Sequence, residues 1–397
     1  MNRVYLKAKR EKSLLKQHPW VYSGAIARVE GDCENGSTVK VFSADNKFLA
    51  LAAISPASQL ALRVWSFNEN DVIDVNFFTA KFRQAANLRQ MLNIPAENSA
   101  WRLCASEADG LPGVTVDIYN DIAVVQLSSA GADFHRNEIV QALQNISSWR
   151  SIYERSDLAV RKYEKLPPVS GVLAGENPPE LLEIHENNRK FLVDIVNGHK
   201  SGFYCDQRES RSLVQKFSAG RKVLNLFCYT GGFGIAAALG NAEHVTNVDC
   251  SAPALAMAEK NFQLNNIAPE RYSNIEADGF SFLRKCRGEK RTFDLIILDP
   301  PKLVDSMKNL SKGCRAYKDA MLQAFHLLKP GGILFTFSCS GLVTRELFAK
   351  IAADAAADAH CQAQIICEPG QGPDHPVPLA FPEARYLKGI MAVKADL

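Results

Sequence analysis

From Val223 onward the sequence alternates between short apolar runs and helical stretches, and this alternation constrains the fold more than any other feature. Five runs have the length of buried β-strands: residues 223–229, 244–249, 273–277, 293–299 and 333–339. Parallel strands require long crossover connections, which are usually helices. The alternation therefore predicts a doubly wound α/β domain with a mostly parallel sheet, whose ligands bind at the carboxyl ends of the strands.

The residues before this domain follow other patterns. Between residues 21 and 67, short β runs are separated by turn clusters such as Asn35-Gly36, which is typical of a small β-barrel. Residues 74–93 have helical periodicity, and a β-rich stretch follows that ends in a predicted hairpin at 181–195. We therefore predict three domains, namely a small β-barrel at 1–68, a β-rich α+β domain at 69–190 and the α/β domain at 191–397.

Composition excludes several classes of protein. The chain has 397 residues, of which 47% are hydrophobic and 22% charged, as in an ordinary globular protein. It contains no uninterrupted apolar run long enough for a membrane span, and its charged first residues do not resemble a secretory signal, so we expect a cytoplasmic protein. Its ten cysteines are scattered and form no C-x-x-C pair, so we expect neither a metal site nor a disulfide scaffold.

The first sixteen residues carry six cations and a single acid, although the net charge of the whole chain is only +3. The cations are Arg3, Lys7, Lys9, Arg10, Lys12 and Lys16, and the acid is Glu11. A local basic segment of this kind can hold a phosphate backbone. It is equally typical of a solvated terminal segment, so the sequence leaves both interpretations open.

A glycine-containing loop follows the first strand of the α/β domain, at residues 228–234. Glycines let a ligand approach the backbone closely and permit left-handed φ angles. The segment 232–237 also fits the G-x-G-x-x-A dinucleotide pattern, so the loop alone indicates NAD, FAD, S-adenosylmethionine (SAM) or a ligand-free turn. We predict that six residues of this strand end and loop bind the cofactor: Asn225, Phe227, Tyr229, Thr230, Gly231 and Gly232.

Acidic residues follow the next two strands. Asp249 ends the second strand, where a carboxylate can accept hydrogen bonds from ribose hydroxyls. Asp278 follows the third strand, where a carboxylate suits the amino group of an adenine ring. Both are predicted cofactor-binding residues, and both are compatible with either NAD or SAM.

The fourth strand ends in Asp299-Pro300-Pro301-Lys302, and this motif favours SAM. Prolines remove backbone donors and restrict φ, so they hold an irregular loop rigid over a pocket. Base-modifying methyltransferases use such a loop, whereas a hydride-transferring enzyme has no need of it. We therefore predict that Asp299 is both a cofactor-binding and a catalytic residue. A nicotinamide-dependent oxidoreductase and a non-catalytic RNA-binding module are the weaker alternatives.

The fifth strand ends at Cys339, which lies between two serines on the edge that Asp299 shares. Cytosine C5 is too weak a nucleophile to take a methyl group unaided, but a thiolate that adds to C6 makes C5 enamine-like. A carboxylic acid at Asp299 would bind the N3/N4 edge of the base and stabilise the adduct. We predict Cys339 as the catalytic nucleophile, although an arbitrary cysteine is more often a small buried hydrophobe.

Methylation of an exocyclic amine is the nearest competing reaction. Those enzymes typically follow Asp/Asn-Pro-Pro with an aromatic residue that stacks on the flipped base, and this chain has Lys302 there. The missing aromatic and the thiol on the next strand favour carbon methylation. A methyltransferase acting on a different base or on a ring nitrogen is the alternative that the sequence leaves open.

Long motifs along the chain resemble the RlmI family, bacterial SAM-dependent methyltransferases that make 5-methylcytosine in 23S ribosomal RNA. The resemblance covers essentially the whole chain. Its motifs are His18-Pro19-Trp20-Val21-Tyr22-Ser23-Gly24, Gly198-His199-Lys200-Ser201-Gly202-Phe203-Tyr204, Asp299-Pro300-Pro301-Lys302, Gly313-Cys314-Arg315-Ala316-Tyr317-Lys318-Asp319, Ser338-Cys339-Ser340 and Tyr386-Leu387-Lys388-Gly389.

The resemblance implies an RNA-binding PUA domain at the N-terminus, a central β-rich domain and a Rossmann-like methyltransferase domain of class I. It implies SAM as the cofactor, Cys339 as the nucleophile, and closure of Gln207 and Arg208 over the cofactor. It also implies 23S rRNA as the partner, either free or in an assembling large ribosomal subunit, and no membrane. Whether the protein forms a homodimer is left open.

Two further expectations concern the catalytic face. Some RNA cytosine-C5 methyltransferases have a second cysteine directly after the fourth-strand motif, which this chain lacks, and we place Cys314 further along a loop as a structural thiol. The base that removes the C5 proton is therefore unassigned. Six cations come from segments expected near this face and are candidates for phosphate contacts: Lys200, Arg208, Arg211, Lys302, Arg315 and Lys318.

Overall fold

Four β-sheets organise the described residues, 2–395, of the computed structural model. The chain divides into two units. The first comprises the described part of Met1–Ile184 together with Val193–Cys205 and Pro373–Ala384, and the second comprises His185–Leu192, Asp206–Gly372 and the described part of Arg385–Leu397.

The first unit begins with a six-stranded sheet in the order β2-β6-β5-β4-β1-β3. Its strands are β1 (Arg3–Leu6), β2 (Trp20–Tyr22), β3 (Ile26–Glu30), β4 (Thr38–Phe42), β5 (Phe48–Ile54) and β6 (Leu60–Ser66), with the short helix α1 (Lys12–Leu15) after β1. The apolar faces of these strands form one core, in which Val4, Val39 and Leu62 are fully buried. The basic N-terminal segment thus includes a strand, β1, that its charges conceal in the sequence.

A five-stranded sheet in the order β11-β10-β9-β8-β7 follows in the same unit. The elements are α2 (Val75–Met91), α3 (Ile94–Glu97), β7 (Ala100–Ala105), β8 (Val114–Tyr119), β9 (Ile122–Leu127), α4 (Ala130–Phe134), α5 (Arg136–Gln144), β10 (Ser151–Ser156) and β11 (Val169–Gly175). Helix α2 begins where the Asp74 carboxylate accepts a hydrogen bond from Phe77 N at 3.0 Å, which caps the helix. Phe78 and Phe82 on its inner face are fully buried, as the predicted helical periodicity requires.

The predicted hairpin at 181–195 is present as β12 (Leu182–Glu186) and β13 (Arg189–Val193). Its turn includes Asn187, which adopts a left-handed φ of 52°. Asparagine tolerates this conformation better than most residues, which explains why it closes the hairpin.

The second unit contains the predicted alternation of strands and helices. Its elements are α6 (Arg208–Lys216), β14 (Lys222–Leu226), α7 (Gly232–Leu239), β15 (His244–Asp249), α8 (Ala252–Leu264), β16 (Tyr272–Glu276), α9 (Gly279–Gly288), β17 (Phe293–Leu298), α10 (Leu310–Leu327), β18 (Leu328–Ser338), α11 (Arg345–Asp358), β19 (Ala363–Cys367) and β20 (Lys388–Lys394). The first of these strands ends three residues earlier than predicted, because Phe227 and Tyr229 adopt left-handed φ angles of 59° and 48°.

The seven strands of this unit form one sheet in the order β16-β15-β14-β17-β18-β20-β19. The first five are parallel to one another, and β20 runs antiparallel between β18 and β19. The chain order reverses at β14, so β14 and β17 flank the topological switch point. In such sheets ligands bind at the carboxyl ends of the strands beside this point. The predicted fold class is confirmed.

Neither a membrane span nor a metal cluster is found among residues 2–395. None of their helices is both long and apolar enough to cross a membrane. No three His, Cys, Asp or Glu side chains of these residues are grouped so that they could hold a metal ion.

Candidate active site

Four predicted site residues follow the carboxyl ends of four parallel strands in the second unit. Asp249 ends β15, Asp278 follows β16, Asp299 follows β17 and Cys339 follows β18. Because the strands are parallel and in register, these residues lie at one edge of the sheet together with the loop after β14.

Main-chain conformation shapes the loop after β14. Phe227, Tyr229 and Gly231 all have left-handed φ angles, and Gly231 N donates to Cys228 O at 2.9 Å. Thr230 O accepts a hydrogen bond from Asn261 Nδ2 at 3.1 Å, which ties the loop to α8. The loop therefore turns sharply into α7, which begins at Gly232.

The Asp249 carboxylate stabilises this loop from the neighbouring strand. Its Oδ2 accepts a hydrogen bond from Tyr229 N at 2.8 Å, and its Oδ1 accepts one from Ser251 N at 3.0 Å. Each carboxylate oxygen has more than one lone pair, so both retain capacity for a ligand hydroxyl. Asp249 thus holds the loop and the start of the segment that leads into α8.

Asn225 belongs to a buried polar ladder beneath the loop. Its Nδ2 donates to Asn247 Oδ1 at 2.9 Å, and Asn247 Nδ2 donates to Asn274 Oδ1 at 3.0 Å. Asn225 Oδ1 is buried and accepts no hydrogen bond within residues 2–395. The ladder also explains Gly234, because a Cβ there would lie 2.2 Å from Asn247 Oδ1.

Phe227 and Asp278 belong to the side of the edge near β16. The ring of Phe227 packs against Phe280 with 5.5 Å between centroids, and a Cβ at Gly279 would lie 2.8 Å from the Phe227 ring. Asp278 is exposed and caps α9 by accepting a hydrogen bond from Ser281 N at 2.9 Å. The hydrogen bonds from Ser281 lower the pKa of Asp278, so it is ionised at neutral pH.

Gln207 and Asp299 are in direct contact. Gln207 Nε2 donates to Asp299 Oδ2 at 3.1 Å, and the buried Gln207 Oε1 accepts no hydrogen bond from residues 2–395. Gln207 lies immediately before α6, and Asp299 is half-buried at the end of β17. An amide and a carboxylate from distant parts of the sequence therefore meet beside the loop.

The sequence makes Arg208 and Arg211 candidates for phosphate contacts. Both are buried, so neither is available for such a contact. Arg211 Nε donates to Glu186 Oε1 at 2.8 Å, and Arg189 Nε donates to the same oxygen at 3.2 Å. Burial would raise the pKa of Glu186, but Arg211 and Arg189 outweigh it and hold that pKa below its ordinary value. This cluster fixes the start of α6, and hence the segment that carries Gln207.

The other predicted phosphate contacts differ in exposure. Lys318 donates to Asp358 Oδ2 at 2.7 Å. In the second unit, Lys302 and Arg315 are exposed and remain suitable for contact with an anion.

Cys339 is half-buried between two fully buried serines. Ser338 Oγ donates to Tyr317 OH at 2.9 Å, and Tyr317 OH and Ser340 Oγ are 3.2 Å apart. Val304 N, from the loop after the two prolines, donates to Ser340 Oγ at 3.2 Å. The thiol therefore lies in the turn at residues 338–340. Tyr317 of α10 and the loop after the two prolines both form hydrogen bonds to this turn.

Two residues of this turn's surroundings were missed by sequence reasoning. Tyr317 holds both serines, and Lys388 Nζ donates to Ser340 O at 2.7 Å. Both lie in motifs that the sequence analysis noted, 313–319 and 386–389, but neither motif indicates a partner. Only the strand order, which places β20 beside β18, brings Lys388 to this edge.

Cys314 is predicted to lie in a loop, and this prediction is wrong. It lies in helix α10 and packs against the core of the second unit. Burial raises the pKa of its thiol, which supports the structural role that we expected.

The first unit presents the six N-terminal cations to solvent. All of them are exposed, and Lys7 Nζ donates to Gly24 O at 2.9 Å. Trp20 is engaged within the protein, because its Nε1 donates to Glu107 Oε1 at 2.8 Å and its ring packs on Phe381 at 4.7 Å. Tyr22 is 56% exposed, which leaves it as the aromatic residue of this segment that is able to stack on a base.

The residues at the sheet edge fit SAM. The oxygens of Gln207 and Asn225 are unpaired acceptors within residues 2–395, as a ligand ammonium requires. The two oxygens of Asp249 can accept ribose hydroxyls, and the left-handed loop lets a ligand approach the backbone. Asp278 lies at the end of the neighbouring strand, where an adenine would be bound.

Comparison with known proteins agrees with this geometry. A family model described as S-adenosylmethionine-dependent methyltransferase matches residues 113–379, and one described as a PUA-like domain matches residues 4–67. The protein named ribosomal RNA large subunit methyltransferase I from Yersinia pseudotuberculosis serotype O:1b (strain IP 31758) is 48% identical over 387 residues, which are 98% of each chain.

Two solved structures have the same fold. One, described as a SAM-dependent methyltransferase from Streptococcus mutans, is 24% identical with a TM-score of 0.86, over 99% of this chain and 100% of its own. The other, a methyltransferase complexed with SAH, is 24% identical with a TM-score of 0.87 over the same shares. These matches confirm the predicted family, the PUA-like domain and SAM as the cofactor. The chain therefore belongs to the S-adenosylmethionine-dependent methyltransferases, in the family whose members are named ribosomal RNA large subunit methyltransferase I.

Proposed function

We propose that this protein methylates C5 of a cytosine in 23S ribosomal RNA through a covalent bond between Cys339 and C6. The observation that carries the proposal is the placement of Cys339 and Asp299 after adjacent parallel strands, at the edge that holds the cofactor loop. The ribosomal RNA substrate is inferred from the name shared by relatives that are 48% identical over nearly the full chain.

When bound, the cofactor would supply the methyl group as an electrophile, because the electron pair of its sulfonium–methyl bond would stay on the sulfur as that bond breaks. The thiolate of Cys339 adds to C6, which forms the S–C6 bond and moves the electrons of the C5–C6 double bond to C5, where they take the methyl group. A base then removes the C5 proton, the double bond re-forms and the S–C6 bond breaks, so the thiolate is regenerated. The identity of that base stays unassigned.

Asp299 would bind the N3/N4 edge of the cytosine and stabilise the adduct. Gln207 Nε2 donates to Asp299 Oδ2 at 3.1 Å, which orients the carboxylate. We therefore propose Asp299 as a catalytic residue and Gln207 as the residue that positions it. We propose that eleven residues form the cofactor site: Gln207, Arg208, Asn225, Phe227, Tyr229, Thr230, Gly231, Gly232, Asp249, Asp278 and Asp299.

The RNA would be engaged by the PUA-like domain as well as by the catalytic edge. Cytosine C5 and C6 are hidden in a duplex, so the target must be single-stranded or flipped out of the helix. The exposed N-terminal cations and Tyr22 can contact backbone and base, and Lys302 and Arg315 can contact phosphates near the site. We propose domain limits of 1–68, 69–190 and 191–397 for these parts.

The experiment is mass-spectrometric mapping of methylation on 23S rRNA from a strain that lacks this activity. The RNA is incubated with SAM and with the wild-type protein, either as free RNA or as large-subunit particles, because the two are alternative substrates. We expect 5-methylcytosine at one position. A methyl group on another base, or on a ring nitrogen, would contradict the proposed chemistry while leaving the enzyme a methyltransferase.

A further inference from the structure

Lys388 lies beside the proposed nucleophile although it is far from it in sequence. It is the first residue of β20, and it pairs directly with Ser338, the last residue of β18. Its Nζ donates to Ser340 O at 2.7 Å and to Tyr386 O at 2.8 Å. The ammonium is therefore held against the turn that presents Cys339.

The environment of this ammonium is unusual for a lysine. Lys388 is only 5% exposed, and within residues 2–395 it forms no ion pair with a carboxylate. Burying a charge without a counter-ion is costly, so buried lysines are normally paired. An ammonium has three N–H donors, and two of them go to neutral carbonyl oxygens here. One N–H is left for a further acceptor.

The charges around Lys388 indicate which group favours its charged form. Burial lowers the pKa of Lys388 most, to about 8, and the cations Arg345 and Lys302 lower it as well. The group that acts in the opposite direction is Cys339, whose thiolate favours the charged form of Lys388. Tyr317, from α10, also faces this turn, and burial raises its pKa, so it stays a neutral hydroxyl. A thiolate at Cys339, next to the Ser340 carbonyl that Lys388 binds, would thus favour the buried ammonium.

We propose that Lys388 is a positioning residue for the nucleophile, because its ammonium stabilises the Cys339 thiolate while its bonds to main-chain carbonyls hold the turn. The thiol proton leaves to solvent, the lysine keeps its own proton, and the thiolate is ready to add to C6. This inference rests on the proposed function for the use of the thiolate, but the electrostatic effect of Lys388 on Cys339 requires neither RNA nor cofactor. A thiolate next to a cation is the usual way in which a protein activates a cysteine.

The same strand offers a matched control. Lys394, at the other end of β20, also donates to two main-chain carbonyls, Phe325 O at 2.8 Å and Leu328 O at 2.7 Å. It lies near the amino-terminal end of β18, whereas Cys339 follows the carboxyl end of that strand. Lys394→Met therefore removes an equivalent set of structural bonds without touching the nucleophile.

The test measures the reactivity of Cys339 directly. The full-length protein, without RNA or SAM, is alkylated with iodoacetamide between pH 5.5 and 9.5, and modification of the peptide that contains Cys339 is followed by mass spectrometry. In the wild type, we expect Cys339 to titrate below the ordinary thiol pKa of about 8.5. Lys388→Met should raise that value by about one unit and slow alkylation at pH 7 about tenfold. Lys388→Arg should preserve most of the effect, and Lys394→Met should leave the profile unchanged.

Two results would overturn the proposal. One is a Lys388→Met protein that is folded and whose Cys339 profile coincides with that of Lys394→Met. The other needs no variant, and so does not depend on whether Lys388→Met folds: a wild-type Cys339 that titrates at or above the ordinary thiol value.

The failure of this inference can be told apart from failure of the proposed function. If Lys388 controls the thiol but no 5-methylcytosine forms on 23S rRNA, then the proposed reaction is wrong and the ion pair stands. If 5-methylcytosine forms and the Lys388→Met profile is unchanged, then only the role of Lys388 is wrong.

Discussion

The loop at residues 227–232 and the turn at residues 338–340 lie at the same edge of one sheet, yet they are held by different means. Left-handed backbone angles at Phe227, Tyr229 and Gly231 shape the loop, with one carboxylate bracing it. Buried side chains from α10 and β20 hold the turn, together with a main-chain donor from the proline loop. Cofactor binding and nucleophile activation should therefore be separable by mutation.

The largest effect is expected from the nucleophile. Cys339→Ser should lower methylation of 23S rRNA by about 1,000-fold or more, because a hydroxyl at this pH is a far weaker nucleophile than a thiolate. SAM affinity, measured by titration calorimetry, should be unchanged, because the loop does not depend on the turn. Cys361→Ser is the control. Cys361 is also half-buried, but it precedes β19 and so lies at the opposite end of the strands from Cys339. An active Cys339→Ser enzyme would contradict the covalent mechanism.

The second effect concerns the loop alone. Asp249→Ala removes the carboxylate that accepts from Tyr229 N and Ser251 N, and charged hydrogen bonds of this kind contribute about 1.5–3 kcal/mol each. We expect SAM to bind about 10 to 100 times more weakly by calorimetry. The pH profile of Cys339 alkylation should be that of the wild type.

A matched carboxylate tests whether this loss is specific to the loop. Asp294 also accepts a main-chain hydrogen bond, from Lys222 N at 2.9 Å, but it lies at the opposite end of β17. Asp294→Ala should lower stability and leave SAM affinity unchanged. Equal weakening of SAM binding in both variants would show that Asp249 acts only on the fold.

A smaller effect is expected from the clamp on the turn. Tyr317→Phe removes the hydroxyl that contacts both Ser338 Oγ and Ser340 Oγ, and it leaves the buried Ser338 hydroxyl without its acceptor, at a cost of about 1–3 kcal/mol in the free energy of unfolding. We expect kcat to fall about tenfold, because a small displacement of the thiol weakens its attack. The KM for SAM should not change. Tyr272→Phe, which loses a hydrogen bond to Glu259 instead, is the control and should keep its kcat.

The smallest effect is a change in the pH dependence of stability. Burial lowers the pKa of Lys388 to about 8 from 10.5, so between these values the unfolded chain binds more protons than the folded chain. The free energy of unfolding then rises with pH across this window, because the cost of the buried ammonium, which is fully present below pH 8, is relieved. Urea unfolding at pH 8 and pH 10 should show a smaller rise for Lys388→Met than for the wild type or Lys394→Met. An identical rise in all three would contradict the burial of a charged Lys388.

Much of the fold was predictable, because periodicity and turn residues are local signals. The strand–helix alternation after Val223 led to the observed parallel sheet, and the asparagine turn led to the observed hairpin. Strand β1 was not predicted, because its four residues are too few to show a period and basic residues follow them closely. The first parallel strand ends earlier than predicted. Its end follows from the left-handed backbone at Phe227, and the sequence gives no signal for that conformation at a non-glycine residue.

The sequence predicts the position of a site residue only where that residue lies at the end of a predicted strand. Asp249, Asp299 and Cys339 could be placed at one edge because parallel strands bring their carboxyl ends together. Arg211 was misread as a surface cation, because the buried Glu186 that binds it comes from a separate hairpin. Charge alone does not tell whether an arginine faces solvent or a buried carboxylate.

Local sequence patterns were enough to assign the chemical groups at this edge, namely a thiol, three carboxylates and a glycine-containing loop. Which side chains surround the thiol depends on the packing of the whole sheet. Lys388 is separated from Ser340 by 48 residues, and it reaches the turn because β20 inserts antiparallel between β18 and β19. Local patterns encode the period and ends of a strand, but the neighbours of that strand follow from how all the apolar faces pack at once.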